Sequence, residues 1–206
     1  MYRKVAEVVT VVFQPLIVPS LVMAILLYII PEATSIPIHA KRPLLTLVMV
    51  TTLFIPVLSV IGMRMTSLIP SIRMPTHKER LLPFSMVSLF YVITSSYFYY
   101  RMNLDPLFMY TLGVITICVL ILTVITLWWK ISAHLTGMGG MLAIVLVLGL
   151  KYSMPPLLYC LIMSVMLCGI VASARLYLDA HKPLEVGMGF MLGFSICFAA
   201  YYHYFF

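Results

Sequence analysis

Residues 106–129 of the chain read PLFMYTLGVITICVLILTVITLWW, a run of 24 residues without a charged side chain. An α-helix rises 1.5 Å per residue, so this run spans about 36 Å, more than the roughly 30 Å of a bilayer's hydrocarbon core. Charged side chains stand only at its ends, where Asp105 precedes it and Lys130 follows it. The run therefore predicts a transmembrane helix.

Similar apolar runs occupy most of the remaining chain. Of the 206 residues, 63% are hydrophobic and 9% are charged, far from the average of soluble globular proteins. Backbone polar groups cannot go unpaired in lipid, and alternating strands are not seen, so the runs are expected to be helices. We predict an all-α, polytopic transmembrane helix bundle of six to seven spans, near residues 8–30, 44–62, 83–100, 106–129, 133–150, 155–174 and 184–204. One of the predicted breaks is the corner Lys41-Arg42-Pro43.

The chain carries no linker, internal repeat or low-complexity tract, which predicts a single integral membrane domain over residues 1–206. Its net charge of +7 is spread thinly, without a basic helix face, so we expect membrane lipids and no nucleic acid as partners. The four cysteines lie inside apolar runs and show neither a disulfide framework nor zinc spacing. The sequence leaves the oligomeric state unknown.

Ionisable residues gather at three corners between predicted spans. The first corner is residues 77–83, the second is residues 130–134, and the third is residues 174–185. Two spans separate each corner from the next, so all three are expected on the same membrane face. Because ionisable groups at membrane depth are costly and usually face a cavity or each other, this convergence predicts a functional site.

The third corner has the spacing of an anion-binding turn. Arg175 and His181 are six residues apart, so the chain must turn between them, and Pro183 suits the first position of the next helix. Glu185 would then lie in the first turn of that helix, where its carboxylate can turn back to His181. A helix N-terminus and the planar guanidinium of Arg175 both favour a bound phosphate.

A histidine held by a carboxylate is suited to act as a nucleophile, and a second histidine can give a proton to the leaving oxygen. His134, in the second corner, is the available second histidine. These residue types together predict phosphoryl transfer.

At these residues the sequence resembles the type-2 phosphatidic acid phosphatase superfamily. Arg-x5-His with an acid four residues later, in ARLYLDAHKPLE at 174–185, is similar to that family's third signature. Ser132-Ala133-His134 is similar to a reduced Pro-Ser-Gly-His, and Lys78-x-Arg80-x-x-Pro83 to a shortened Lys-x6-Arg-Pro.

The resemblance implies a helical membrane phosphatase, related in fold to the vanadium haloperoxidases, that forms a phosphohistidine without a metal or other cofactor. It implies that His181 is the nucleophile, Glu185 its orienting acid and His134 the general acid. It assigns phosphate binding to Arg175, Arg80, Lys78 and Ser132. Its substrates are lipid phosphates, among them phosphatidic acid, phosphatidylglycerol phosphate and polyprenyl diphosphates.

The sequence departs from this pattern in several places. Glu185 replaces the usual Asp, Ala133 replaces a glycine, and the first signature is compressed. A different class of protein is therefore an alternative: a catalytically inactive relative that binds lipid phosphates or transports a solute. The excess of basic residues on the site face favours a cytoplasmic site by the positive-inside rule, whereas the resemblance favours the periplasmic side of a bacterial inner membrane. Following the resemblance, we expect the site to face the periplasm.

Overall fold

Seven helices of the computed structural model are long and apolar enough to cross a membrane, judged by length and composition. The model describes residues 2–72, 74, 76–102 and 104–206, and over this part of the chain it is helical and without strands. The spans are Tyr2–Ile29, Ile38–Met65, His77–Met102, Pro106–Thr126, Ala133–Tyr152, Pro155–Tyr177 and Pro183–Phe205. The length and composition of these helices confirm the prediction of an all-α, multi-pass membrane protein.

The first three spans are interrupted and the last four are continuous. The first comprises α1 (Tyr2–Val12), a 3-10 turn (Pro15–Ile17), α2 (Val18–Ala24) and a π-helical turn (Ile25–Ile29); the second comprises α3 (Ile38–Met49), a π-helical turn (Val50–Phe54) and α4 (Ile55–Met65). The third joins α5 (His77–Tyr97) to a π-helical turn (Phe98–Met102). The others are α6 (Pro106–Thr126), α7 (Ala133–Tyr152), α8 (Pro155–Tyr177) and α9 (Pro183–Phe205).

The chain forms two compact units, which are described separately. Unit 1 combines the N-terminal segment that ends at Val18 with Ile131–Phe206, and unit 2 is Pro19–Lys130. Unit 1 thus contains α1, α7, α8 and α9. The prediction that residues 1–206 form one domain stays a prediction.

Helices α7 and α9 of unit 1 pack with their backbones in direct contact. A Cβ atom at Gly193 would collide with the carbonyl oxygen of Thr136, and one at Gly189 would lie 2.6 Å from the carbonyl oxygen of Ser132. Gly139 approaches the backbone of Phe190 in the same way. Small residues allow this close approach between membrane helices. The sequence suggests that Gly187 shares this surface, but Gly187 is exposed, with no neighbouring atom within 4 Å of a Cβ placed there.

Unit 2 uses side chains to satisfy backbone carbonyls that prolines leave unpaired. Proline has no N–H, so Pro56 cannot donate to the carbonyl of Thr52, four residues earlier. The hydroxyl of Tyr91 donates to that carbonyl instead, at 3.2 Å. In an apolar interior an unpaired carbonyl would cost several kcal/mol, roughly, which explains why a buried tyrosine is placed there.

The predicted break at Lys41-Arg42-Pro43 is wrong, because α3 begins at Ile38 and contains all three residues. Lys41 is buried, and its ammonium donates to the carbonyl oxygen of Leu27 at 2.7 Å. That carbonyl lies four residues before Pro31, so it also lacks its usual helical donor. Lys41 therefore binds the end of the preceding helix and is a buried structural residue of unit 2.

Candidate active site

The turn between α8 and α9 carries the histidine and the acid that the sequence singles out. Helix α8 ends at Tyr177, the chain turns with Asp179 at a left-handed φ of 51°, and α9 begins at Pro183. Pro183 holds the φ angle that the first helical position needs and lacks the N–H that would go unpaired there. The turn places His181 directly before α9 and Glu185 in its first turn.

His181 and Glu185 form a close, buried pair. The Nδ1 atom of His181 lies 2.8 Å from Oε2 of Glu185, and the His181 side chain is only 1% exposed. The same oxygen accepts the backbone N–H of Lys182 at 3.2 Å. Since a carboxylate can only accept, we assign the Nδ1 proton to the imidazole, which gives Nε2 the lone pair when the ring is neutral.

A backbone hydrogen bond joins the start of α7 to this turn. The N–H of Ser132, the residue before α7, donates to the carbonyl oxygen of Glu185 at 3.1 Å. His134 lies two residues further along, in the first turn of α7. The structure therefore brings Ser132 and His134 of the second corner to the same end of unit 1 as the third corner, as expected for two corners that two spans separate.

Ser132 occupies the N-cap position of α7 without capping it. Serine at this position usually accepts a hydrogen bond from the first turn of the helix. Here its side chain makes no capping bond, the residue is 0% exposed, and its hydroxyl has no hydrogen-bond partner. A buried, unpaired hydroxyl costs free energy of about 1 to 3 kcal/mol. The first-turn N–H groups of α7 also lack this cap, so the position is suited to an anion.

Arg175 lies in the last turn of α8 and also has a buried polar atom without a hydrogen-bond partner. It is half-buried, and its Nε atom is buried without a hydrogen-bond partner. Buried guanidinium groups normally pair with an anion or a carbonyl. Ser132 Oγ and Arg175 Nε are thus two of the buried polar atoms of unit 1 that an anion would satisfy.

His134 is held by the N-terminal segment, a contact that the motif analysis missed. Its Nε2 atom lies 3.1 Å from the carbonyl oxygen of Thr10, in the last turn of α1. Gln14-Pro15 marks where α1 ends, because the residue before a proline disfavours the helical conformation, but no local pattern in the sequence marks the contact with His134.

The two remaining predicted ligands belong to unit 2. Lys78 is exposed in the first turn of α5. Arg80 is buried, and its Nε donates to the carbonyl oxygen of Met74 at 3.1 Å, so it fastens the loop before α5. For both residues, phosphate binding stays a prediction.

Metal-ligating side chains are dispersed over the described ranges, and no three or more of His, Cys, Asp and Glu come together there in a group that could hold an ion. The four cysteines lie on three helices, α6, α8 and α9. The expectation of a reaction without metal or cofactor remains a prediction.

Comparison of the chain with models of protein families, with curated proteins and with solved structures gave no match. The resemblance to the type-2 phosphatidic acid phosphatases therefore rests on the sequence motifs and on the chemistry of the residues that they contain.

Proposed function

We propose that this protein is a membrane-embedded phosphatase that hydrolyses a lipid phosphate or polyprenyl diphosphate through a phosphohistidine intermediate. The observation that carries the proposal is the buried His181–Glu185 pair, joined through Ser132 to the helix start that bears His134. The carboxylate of Glu185 accepts both the N–H of Lys182 and, at 2.8 Å, the Nδ1 proton of His181, so it fixes the orientation of the imidazole.

Two unpaired donors support the choice of phosphate as the group that reacts. The Ser132 hydroxyl and the Arg175 Nε are buried without partners, and both donate to anions. They lie on α7 and α8, beside the turn that positions His181. Phosphoryl transfer requires positioning and charge stabilisation above all, and donors of this kind provide both.

The proposed reaction has two steps. In the first, Nε2 of His181 attacks phosphorus, the bond from phosphorus to the lipid oxygen breaks, and His134 gives that oxygen a proton from Nδ1, because its Nε2 donates to the carbonyl oxygen of Thr10. In the second, water attacks phosphorus while His134 takes a proton from it, the phosphorus–nitrogen bond breaks, and His181 recovers its lone pair. Glu185 holds the Nδ1 proton throughout and stabilises the positive charge that develops on the ring.

A lipid substrate fits the position of the site, which lies where α7 and α9 begin and α8 ends. Its phosphate would bind among polar groups at this end of the helices, while its chain lies along their apolar sides. We further propose, from the resemblance, that the site faces the periplasm from a bacterial inner membrane. The lipid itself is to be identified by assay.

Purified protein in a maltoside detergent is expected to release phosphate from phosphatidic acid or a polyprenyl diphosphate in the presence of EDTA. Brief incubation with a substrate labelled in its terminal phosphate should leave label on the protein, stable to alkali and lost in acid, as for phosphohistidine. Phospholipid binding with neither release nor labelling across a panel of lipid phosphates would instead favour the non-enzymatic alternative.

Glu185→Gln is expected to lower kcat about a hundredfold or more with a smaller change in KM. The amide can donate its own N–H to Nδ1, which would hold the imidazole in the tautomer whose Nε2 carries the proton. Steady-state kinetics measure both constants. Glu79→Gln is the matched control, because Glu79 bonds Thr76 in unit 2 at 2.8 Å and has no assigned role in the reaction. Equal kcat values for Glu185→Gln and wild type would remove Glu185 from the mechanism.

A further inference from the structure

The end of α1 lies at the candidate site, although no motif includes it. The carbonyl of Thr10 is in contact with His134, and α1 packs against α8, whose last turn carries Arg175. The N-terminal segment of unit 1 thus reaches the second histidine of the candidate site.

The Thr10 hydroxyl differs from those of most other helical threonines described in this protein. A threonine inside a helix usually donates its hydroxyl to the carbonyl four residues earlier. Many threonines here do so at 2.7 to 3.0 Å: Thr51, Thr52, Thr66, Thr111, Thr116, Thr123, Thr126 and Thr136. Thr10 does not, and its hydroxyl oxygen is buried without a partner.

Three buried polar atoms without partners therefore come from three different helices or helix caps of unit 1: Thr10 Oγ1, Ser132 Oγ and Arg175 Nε. Ser132 is fully buried and next to the α7 turn that contains His134, and Thr10 touches His134 directly. Each atom can donate a hydrogen bond, and a phosphate group has enough oxygens to accept from all three.

We propose that Thr10 is a further phosphate ligand, whose hydroxyl donates to an oxygen of the substrate's phosphate group. This inference rests on the proposed function and extends the anion site to α1. The ligand class is a phosphate monoester or the terminal phosphate of a diphosphate.

The test is binding of octylphosphonate, which cannot be hydrolysed, to the full-length protein by titration calorimetry in maltoside detergent. Thr10→Val keeps the shape of the side chain and removes the donor, so it is expected to weaken binding about tenfold. Thr10→Ser keeps the donor and should bind within about twofold of wild type. Ser164→Ala is the matched control, because it removes a buried hydroxyl of unit 1 that already donates to the carbonyl of Cys160.

The outcomes separate the two proposals. If the wild-type protein and Thr10→Val bind the phosphonate with equal affinity, Thr10 is not a phosphate ligand, and the proposed function still stands. Wild type that binds neither octylphosphonate nor inorganic phosphate overturns the anion site together with Thr10. Inorganic phosphate serves as the second probe, and the same loss for both probes in Thr10→Val shows that the hydroxyl binds the phosphate group and not the chain.

Discussion

Replacing His181 with alanine is expected to lower phosphate release from a lipid phosphate by about a thousandfold or more. The change removes the atom that would form the covalent intermediate, and losses of this size follow removal of a nucleophile. Phosphate release and labelling of the protein by substrate should disappear together, because both depend on the same nitrogen.

His203→Ala is the control for this experiment. His203 is exposed and lies in the last turn of α9, at the opposite end of that helix from His181. It should retain the activity of wild type. If His181→Ala releases phosphate at the rate of wild type, the phosphohistidine mechanism is refuted.

The largest effect on stability is expected from Gly193→Ala. The added methyl group would collide with the carbonyl oxygen of Thr136, a backbone atom that no side-chain movement can relieve. Overpacking of this kind costs about 3 kcal/mol when the backbones must move apart, which corresponds to a fall of roughly 10 °C in Tm. Thermal unfolding of the two proteins in detergent measures this difference in Tm.

Gly187→Ala is the matched control on the same helix. A Cβ at Gly187 has no neighbouring atom within 4 Å, so its Tm should stay close to that of wild type or rise slightly, as alanine favours the helix. Gly193→Ala should also lose activity, because moving α9 away from α7 breaks the bond from Ser132 to Glu185. Equal Tm values for the two variants would contradict the packing described for α7 and α9.

Apolar runs were sufficient to predict the seven spans, because in a bilayer the length of a helix is fixed by the thickness of the hydrocarbon. The contact of His181 with Glu185 also follows from sequence, since Pro183 fixes where α9 begins and four residues make one turn. The start of α3 at Ile38 was missed, because Lys41 looks like an interfacial residue until its buried carbonyl partner is seen.

Contacts between distant segments were beyond what local patterns can predict. Thr10 and His134 are separated by 124 positions, and no periodicity links them. The missing hydrogen bond of the Ser132 hydroxyl could not be predicted either. A serine before a helix ordinarily indicates an N-cap, and only the packed structure shows that this hydroxyl is buried without a partner.

Unit 1 is assembled from the first and last parts of the chain, and this has a consequence for biosynthesis. Thr10 leaves the ribosome long before Ser132, and α9 follows only after the whole of Pro19–Lys130 has been made. The nascent chain therefore holds Thr10 without His134 while Pro19–Lys130 is made, and it holds α7 without the packing of α9 until Pro183–Phe205 has been made. A nascent or truncated protein that lacks α9 also lacks Glu185, so it is expected not to hydrolyse the proposed substrate.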